Sequence, residues 1–504
     1  MNTKKITIIN IFTSLLAQLV TIAYGFVIPE LVLSCFGSEV NGLINSSSQF
    51  LNYINLVEGG VTGVIMAALY KPLVEKDYKK ISAIINASRK FYTRIAAIFS
   101  LYSLLIGIIY PIIVKTSFSW PYIFSLILIV SIENFLQYCF SASLKCLLKA
   151  DKRSYVVSIA QIVFKVLNLI LAIVVVKFYP NMHLLKAAGV LAFAAQPILF
   201  NIYVNKHYPI DKNEPADACA LKQRWAGFGQ NIAYFIHCNT DVTVLTFFAG
   251  LKYVSVYSIY NLIASSLKNL VMSISAAIAP TMGNVLVESD MSAKNRAFEI
   301  YEFGISIIST FLFTCGYLLA TPFVDIYTRR VTDANYHQPI FGILLIVSEL
   351  IYCLRDPYIS VAYASGRFKQ TSIFAYVEAI LNISLSVILV KGYGLIGVAI
   401  GTCIAMIFRM VAHVLYLRKH ILYRTLVLWI RNVIVFVASS VISAAIYYKF
   451  IYRVTTDYYE WVINAILTSI DVAACIIVCV CLFHRKRMMM FMNYLLPSRT
   501  QKRQ

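Results

Sequence analysis

Charged residues are scarce in this sequence: they make up 13% of the chain, whereas hydrophobic residues make up 60%. A soluble globular protein carries about 25% charged residues, so the composition excludes that class. Apolar runs long enough to cross a bilayer as a helix, about 20 residues each, recur from one end to the other. The ten-residue alternating segments of an outer-membrane barrel are absent. The sequence therefore predicts an all-α polytopic membrane protein.

Signatures of catalysis are absent as well. The sequence contains no GxSxG, HExxH or phosphate-binding-loop motif, and its loops leave no room for a catalytic domain. The 11 cysteines lie mostly within apolar runs, and no paired spacing in external loops suggests disulfides. Cys475 and Cys479 share a helical face near His484, but Cys481 points away from it, so packed thiols are expected there rather than a metal site. We expect no enzymatic activity, no cofactor and no metal.

The hydropathy profile fits fourteen membrane spans, and the first is an uncleaved helix because no small-x-small cleavage site follows it. The predicted spans are Ile6–Ile28, Gly42–Tyr70, Phe91–Val114, Tyr122–Leu148, Tyr155–Phe178, Leu184–Val204, Trp225–Ala249, Val254–Leu286, Ala297–Ala320, Ile340–Ala364, Gln370–Val390, Leu395–Leu417, Thr425–Tyr448 and Trp461–Phe483.

Acidic residues are few compared with basic ones, which gives a formal net charge of +21. The basic residues concentrate in alternate loops, such as Lys71 to Arg94 and Lys206 to Arg224, and in the C-terminal tail. By the positive-inside rule, this bias predicts a multi-pass protein with both termini in the cytosol. The basic loops would contact anionic lipid headgroups, and nucleic acid is not needed as a partner.

The chain repeats itself at an offset of 213 or 214 residues. The matching segments and residues are Pro72–Asp77 with Val285–Asp290, Gly37 with Gly250, Lys149–Ser154 with Tyr363–Phe368, and Tyr203–His207 with Tyr416–His420. Because six spans separate the copies, they are parallel repeats, an arrangement common in transporters. The predicted domains are an N-terminal six-helix bundle (1–204), a cytosolic linker (205–224), a C-terminal six-helix bundle (225–424), two extra helices (425–483) and a basic cytosolic tail (484–504).

Polar residues form a stripe at helical spacing along the second span. The stripe comprises Asn41, Asn45, Ser48, Asn52, Asn55, Gly59 and Thr62, and the repeat carries it forward onto Val254, Ser258, Asn261, Ser265, Lys268, Met272 and Ser275 in the eighth span. A lysine at mid-span, such as Lys268, needs a partner or a wet cavity. Small and hydrogen-bonding residues also form helix–helix seams in membranes, which is the alternative. Two equivalent polar stripes favour the lining of a shared cavity.

Other charges lie deep in predicted spans. The further cationic cavity candidates are Lys165 and Arg355, and the acids, candidates for coupling or for ion pairs, are Glu58, Asp241, Glu349, Asp356 and Glu378. Glu349 and Asp356 are two turns apart on one helical face, and Pro357 interrupts the hydrogen-bond ladder beside them. For each of these charges, a structural ion pair and a contact with substrate both stay open. An acid among them could carry a coupling proton or sodium ion.

This pattern resembles the Wzx-type polysaccharide flippases of the multidrug/oligosaccharidyl-lipid/polysaccharide exporter superfamily. The resemblance rests on the fourteen spans and on three segments: "YKPLVEKDYKKISAI" (70–84), "TDVTVLTFFAGLKYVSVYSIYNLI" (240–263) and "KGYGLIGVAIGT" (391–402). It implies a bacterial inner-membrane protein that moves a polyprenyl-diphosphate-linked oligosaccharide across the bilayer by alternating access. The implied partners are the lipid-linked glycan, membrane lipids, and the glycan polymerase and glycosyltransferases of the same pathway.

One feature departs from the related lipid II flippases, which have arginines in the first two spans. The second-span stripe is neutral here apart from nearby Glu58, so Lys268 is the main candidate to contact a diphosphate and Lys165 is the second. A cation-coupled drug or metabolite antiporter of the same superfamily is the alternative, with deep acids as coupling groups. A membrane-embedded glycan polymerase comes third because it requires a large external loop with catalytic residues.

Overall fold

The computed structural model describes residues 3–58, 61–217, 228–288 and 290–495, and every regular element in these ranges is helical. Two π-helical turns, Gln137–Ser141 and Tyr447–Ile451, continue α5 and α14. The α-helices are α1 Thr3–Asn52, α2 Asn55–Glu58, α3 Val61–Glu75, α4 Tyr78–Ile113, α5 Trp120–Leu136, α6 Ala142–Ala150, α7 Ser154–Phe178, α8 Met182–His207, α9 Phe228–Phe248, α10 Leu251–Glu288, α11 Met291–Tyr327, α12 Pro339–Ala364, α13 Phe368–His420, α14 Leu426–Ile446, α15 Tyr458–Phe483 and α16 Arg485–Leu495.

Helix length and composition identify the membrane spans. In the described residues, ten helices are long and apolar enough to cross a bilayer. Two of them contain a glycine with non-helical dihedral angles, Gly37 (φ 81°) in α1 and Gly394 (φ 54°) in α13, and each is therefore two helices joined at a kink. The described helices form fourteen segments when these halves are counted separately. In this count α2, α3, α6 and the π-helical turns are parts of longer spans, and the short α16 is not included. The predicted class, an all-α polytopic membrane protein, is confirmed.

The second predicted span differs from the structure. A single helix was expected over Gly42–Tyr70, but the chain leaves the helix after Asn52, makes a turn at Tyr53 and Ile54, and continues as the four-residue helix α2. The first span also extends well beyond Ile28, up to the kink at Gly37. The prediction of one continuous polar stripe along one helix is therefore wrong beyond Asn52. Gly59, one member of that stripe, lies outside the described residues.

Local structure recurs where the sequence repeats. Asp77 and Asp290, which the repeat aligns, are both N-caps: each side chain accepts a hydrogen bond from the backbone N–H three residues later. Gly37 and Gly250, also aligned, both have positive φ, at 81° and 99°. Positive φ strains most other residues, so a glycine at both places reflects the same backbone requirement.

The C-terminal ends of α8 and α13 show the same correspondence in their side chains. His207 stacks on Tyr203 with ring centroids 4.1 Å apart, and its Nδ1 lies 2.8 Å from the Tyr203 carbonyl oxygen. The aligned His420 stacks on Tyr416 at 4.6 Å, and its Nδ1 lies 3.1 Å from the Tyr416 carbonyl oxygen. Two copies of one local arrangement, 213 residues apart, are expected of a duplicated bundle.

The chain divides into two compact units, residues 1–255 and 256–504. In the first unit, α7 packs on α1 and α8, and α5 packs on α4 and α8. In the second unit, α12 packs on α11 and α13, and α14 and α15 pack on each other and on α11. The division falls after Ser255, near the start of α10, and not in the predicted linker 205–224. Helix α9 belongs to the first unit, where it contacts α1 and α2. Residues 218–227 of the chain, which include the end of that linker, lie outside the described residues.

Candidate functional site

Lys268 forms an ion pair with a carboxylate on another helix of the second unit. Its Nζ, on α10, lies 2.7 Å from Oε1 of Glu349 on α12, and the two side chains are 14% and 10% exposed. The ring of Tyr352, one turn after Glu349, has its centroid 5.2 Å from the same ammonium. A lysine deep in a span must find such partners, because it cannot easily reach water from there.

A second group of charges lies close by on α12 and α13. Arg355 donates to Oε1 of Glu378 at 3.1 Å, and Arg409 donates to Oε2 of the same carboxylate. Arg355 is 1% exposed and also lies over the Tyr352 ring, 4.7 Å from its centroid. Glu378 is thus held on both oxygens by two arginines, and the structure places Arg355 in an internal ion pair.

The kink in α13 brings Glu378 and Arg409 together. Gly394 lets the chain turn back, so that the segment before it and the segment after it pack side by side. Asn382 donates to Thr402 across this contact at 2.9 Å. A Cβ on Gly397 would lie 2.4 Å from the Leu389 carbonyl oxygen, so the backbones approach too closely for any other residue.

Asp356 occupies a third position along α12. Its carboxylate accepts a hydrogen bond from Ser275 on α10, and the Ser275 hydroxyl lies 2.5 Å from the Tyr301 hydroxyl of α11. Lys268 and Ser275 are seven residues apart on α10, as are Glu349 and Asp356 on α12, so both acids of the "ELIYCLRDP" segment face α10. Pro357 follows them inside a continuous helix, not at a helix break.

We call these six charged side chains the α12 charge cluster: Lys268, Glu349, Arg355, Asp356, Glu378 and Arg409. Three are basic and three are acidic, so the cluster is neutral when all are ionised. Arg409 and Tyr301 were not singled out as site residues from the sequence. The sequence shows that Arg409 lies within an apolar run, which marks it as a charge inside a span. Only the packing of α13 shows that its side chain reaches Glu378 rather than the membrane surface.

Two other predicted positions of the α10 stripe, Ser265 and Asn261, make no hydrogen bond to the cluster among the described residues. The Ser265 hydroxyl donates to the Leu262 carbonyl of its own helix at 3.3 Å. Asn261 is half-buried, and in the described part of the chain its side chain makes no hydrogen bond. These two side chains stay candidates for substrate contact.

The stripe of the second span lies in the first unit. Asn41 donates to the Ser255 hydroxyl at 2.8 Å, and Asn45 donates to the Asn41 carbonyl at 2.8 Å. Asn55, beyond the helix break, accepts from the Tyr138 hydroxyl at 2.7 Å. The first part of the stripe therefore includes the helix–helix contact that was the alternative interpretation. Ser48 and Asn52 are half-buried and make no hydrogen bond to a described residue.

Three further predicted residues lie in the first unit. Glu58 accepts from Thr62 at 2.8 Å and from Tyr92 at 3.2 Å. Lys165 lies over the Tyr24 ring, 4.7 Å from its centroid. Asp241 is buried on α9.

An apolar cavity of about 640 Å³ lies in the second unit between α11, α12, α13 and α14. At one end, Glu302 accepts from Arg424 at 2.9 Å and from Tyr358. Aliphatic and aromatic side chains such as Val347 and Phe436 form most of its wall. No sequence pattern indicated this cavity, because its wall comes from ordinary apolar faces of four helices. In the described residues, no group of three or more His, Cys, Asp or Glu side chains could hold a metal ion.

Comparison with known proteins identifies the fold. No protein-family model matches the chain, and no curated protein matches its sequence significantly. Among solved structures, the lipid II flippase MurJ in an inward closed conformation superposes with a TM-score of 0.72 at 15% identity, over 95% of this chain and 100% of that one. An inward-facing multidrug resistance MATE family transporter of the MOP superfamily gives 0.67 at 15% identity, over 80% and 94% of the two chains.

A third structure, that of the MATE multidrug transporter DinF-BH, gives a TM-score of 0.62 at 16% identity and covers 84% of this chain and 98% of its own. At such identities, similarity establishes the fold and leaves the substrate open. The resemblance seen in the sequence is thus confirmed for the architecture. The chain has the fold that the MurJ flippase and the MATE transporters share.

Proposed function

We propose that this protein is a flippase that moves a polyprenyl-diphosphate-linked oligosaccharide from the cytosolic to the outer leaflet of a bacterial inner membrane. It works by alternating access, with both termini in the cytosol, and it supplies surface polysaccharide biosynthesis. Glycosyltransferases that build the lipid-linked glycan, and a polymerase that uses it, are its proposed partners in the pathway. The shared fold with a lipid II flippase and with multidrug transporters supports the transport class.

The ion pair of Lys268 is the observation that carries this proposal. A diphosphate needs a cation that can approach it, and a compact ammonium binds phosphate well as a point charge. Arg355 and Arg409 are both engaged by the buried Glu378, whereas Lys268 is 14% exposed and is paired with one carboxylate oxygen of Glu349. Lys268 is therefore the basic group of the α12 charge cluster that can most readily exchange its partner for a phosphate.

Two other features of the chain suit the remaining parts of such a substrate. The half-buried Asn261 and Ser265 of α10 offer hydrogen-bonding groups of the kind that sugar hydroxyls require. The apolar cavity between α11 and α14 offers a lining suited to a hydrocarbon chain. A single molecule with a charged head, a polar glycan and a long apolar tail accounts for all three kinds of surface.

A flipping assay on variants of Lys268 tests the proposal. In proteoliposomes that contain a fluorescent polyprenyl-diphosphate-linked sugar, we expect Lys268→Ala to slow flipping roughly 10- to 100-fold, the effect of losing a charge-assisted contact. Lys268→Arg keeps the charge and should retain part of the rate. Lys369→Ala, at an exposed lysine after α12, is the matched control and should flip at the wild-type rate. If Lys268→Ala flips as fast as this control, the proposed phosphate contact is wrong.

A cation-coupled antiporter is the second candidate, and Glu58 is the observation that favours it. In the described residues this carboxylate accepts hydrogen bonds from Thr62 and Tyr92 but has no basic partner within ion-pair distance. Such an acid can bind a proton or sodium ion and release it when a cationic drug takes its place. A deletion strain separates the two: loss of surface glycan with unchanged drug resistance supports the flippase, and drug sensitivity with intact glycan supports the antiporter.

A further inference from the structure

Glu349 is the least constrained acid of the α12 charge cluster. Its Oε1 accepts from Lys268 at 2.7 Å, whereas its Oε2 is buried and has no hydrogen-bond partner among the residues that the structure describes. Among the described residues, Lys268 is the one basic group within ion-pair distance of it. A buried carboxylate oxygen without a donor is unusual, because burial without a compensating hydrogen bond costs free energy. The stabilisation of this anion therefore depends on one ammonium.

The two neighbouring acids are fixed more firmly. Glu378 binds Arg355 and Arg409 through different oxygens, and removal of one arginine would still leave it paired. Asp356 accepts from the Ser275 hydroxyl and is close enough to Tyr301 for a second hydrogen bond. Both acids thus have at least two donors near them. A ligand that binds Lys268 would remove the donor on which Glu349 depends. It would leave the donors of Glu378 and Asp356 in place.

Charge balance adds a second constraint. With all six groups ionised, the cluster is neutral, and a diphosphate that enters it brings an excess of negative charge. Uncompensated negative charge in a poorly hydrated site is unfavourable. A carboxylate that loses its cation under these conditions takes up a proton more readily than it stays ionised. One proton on Glu349 would allow Lys268 to bind the phosphate instead and would make the cluster positive.

We propose that the diphosphate of the substrate displaces Glu349 from Lys268 and that the released carboxylate takes up a proton from water. Substrate and proton then bind together, and both leave when Lys268 and Glu349 pair again. The inference rests on the proposed function, because it requires a diphosphate at Lys268, and it adds a proton-linked binding step and the residue that carries the proton. It makes Lys268 and Glu349 a two-state switch within one site.

Other titratable groups belong to the α12 charge cluster or lie next to it on α12 and on the helices that contact α12. They are Lys268, Tyr301, Tyr352, Cys353, Arg355, Asp356, Tyr363, Glu378, Cys403, Arg409 and His413. The Nδ1 of His413 lies 2.8 Å from the Arg409 carbonyl oxygen, so this ring contacts the backbone of α13. The arginines keep their charge at every relevant pH, and tyrosine and buried cysteine thiols stay neutral. Asp471 of α15 is also held by a neutral donor, the Ser443 hydroxyl, but lies outside the cluster, so it supplies the matched control.

Calorimetry on the full-length protein in lipid nanodiscs tests the proposal. The probe is geranylgeranyl diphosphate, titrated in two buffers of different ionisation enthalpy between pH 6 and pH 8, so that the difference in heat gives the number of protons taken up. We expect the wild type to take up about one proton on binding and its affinity to fall by up to about tenfold per pH unit as the pH rises. Glu349→Gln should bind the probe without this additional uptake and should bind more tightly than the wild type at pH 8.

Two controls assign the proton to Glu349. Asp471→Asn should retain the wild-type uptake, because its carboxylate accepts from a hydroxyl group and lies outside the α12 charge cluster. The second control is geranylgeranyl sulfonate, whose headgroup keeps its charge across this pH range and takes up no proton itself. Proton uptake when the wild type binds this probe must therefore come from the protein. This second probe keeps the test decisive even if Glu349→Gln does not fold.

The outcomes separate the inference from the function on which it rests. If the wild type binds neither probe, the proposed diphosphate contact fails and the inference fails with it. If the wild type binds both probes and the sulfonate brings no proton uptake, the inference is wrong and the flippase proposal stands. Uptake that persists unchanged in Glu349→Gln assigns the proton to another group and also overturns the inference.

Discussion

At the scale of single residues, Glu378 shows how a charge deep in a membrane protein is stabilised. Each of its oxygens accepts from a different arginine, and its side chain is 1% exposed. Breaking a buried ion pair by removing one partner costs more than the pair itself contributes, because the other charge is left uncompensated. Here, removal of one carboxylate would leave two guanidinium groups facing each other.

Glu378→Gln is therefore expected to destabilise the protein strongly. The free energy of unfolding should fall by about 3–5 kcal/mol, the usual cost of an unpaired buried charge. Thermal unfolding of the purified protein in detergent, followed by intrinsic fluorescence, measures this loss.

Glu349→Gln serves as the comparison, because it also removes one carboxylate from the α12 charge cluster but leaves one partly exposed lysine instead of two buried arginines. Its loss of stability should be clearly smaller than that of Glu378→Gln. Equal losses would show that the two acids contribute equally to the free energy of unfolding. They would contradict the proposal that Glu349 is the acid that gives up its ion-pair partner.

The sequence allows most charged residues of the site to be predicted, but it does not show which of them form ion pairs with each other. The depth of Lys268 in its span indicated that it needs a partner, and the spacing of Glu349 and Asp356 placed both acids on one face. The choice of Glu349 as that partner depends on how α10 lies against α12, which no local pattern encodes. The sequence could not show that Arg355 is engaged by Glu378, because that contact depends on how α12 packs on α13.

At the scale of elements, the connection between α9 and α10 rests on one glycine. Gly250 has φ of 99°, and a Cβ built there would meet no atom within 4 Å. Space is available for a side chain, so the backbone conformation alone requires glycine.

Gly250→Ala is therefore expected to reduce the free energy of unfolding by about 1–2 kcal/mol, the cost of left-handed backbone for a residue with a Cβ. Gly392→Ala is the matched control: its Cβ also meets nothing within 4 Å, and its φ is not positive. That change should be neutral or stabilise the protein by up to about 1 kcal/mol, because alanine favours the helix. Unfolding of both variants in detergent, side by side, measures the difference. Equal stabilities would contradict the assignment of strain to the Gly250 backbone.

The ends of helices can be predicted where a local sequence feature marks them, and they cannot be predicted where the cause is a contact between distant elements. Aspartates at the start of α4 and α11 and glycines with positive φ at Gly37 and Gly250 are local signals, and the repeat made each of them visible twice. The break after Asn52 has no such mark, because Tyr53 and Ile54 are both ordinary residues for a membrane helix. The Tyr53 hydroxyl lies 2.8 Å from the Thr243 hydroxyl of α9, a contact between elements that are far apart in sequence.

At the scale of the whole molecule, the class and the number of spans follow from hydropathy, whereas function depends on where charges differ between the repeats. Lys268, in the second copy, aligns with Asn55 in the first. Asn55 accepts a hydrogen bond from Tyr138, but Lys268 binds a carboxylate. The aligned positions thus make an ion pair in the second copy and a neutral hydrogen bond in the first, so the two copies differ at this place in charge.

The direction of insertion is the remaining property of the whole molecule, and the distribution of basic residues predicts it. The segment from Lys71 to Arg94 and the tail after Phe483 are rich in lysine and arginine, so both should lie in the cytosol. The connection between α11 and α12, residues 328–338, would then face the opposite side. A fluorescent protein fused after Gln504 should fluoresce in bacterial cells, and alkaline phosphatase fused there should be inactive. Phosphatase inserted between Asp333 and Ala334 should be active, and the opposite pattern would invert the topology and with it the proposed direction of flipping.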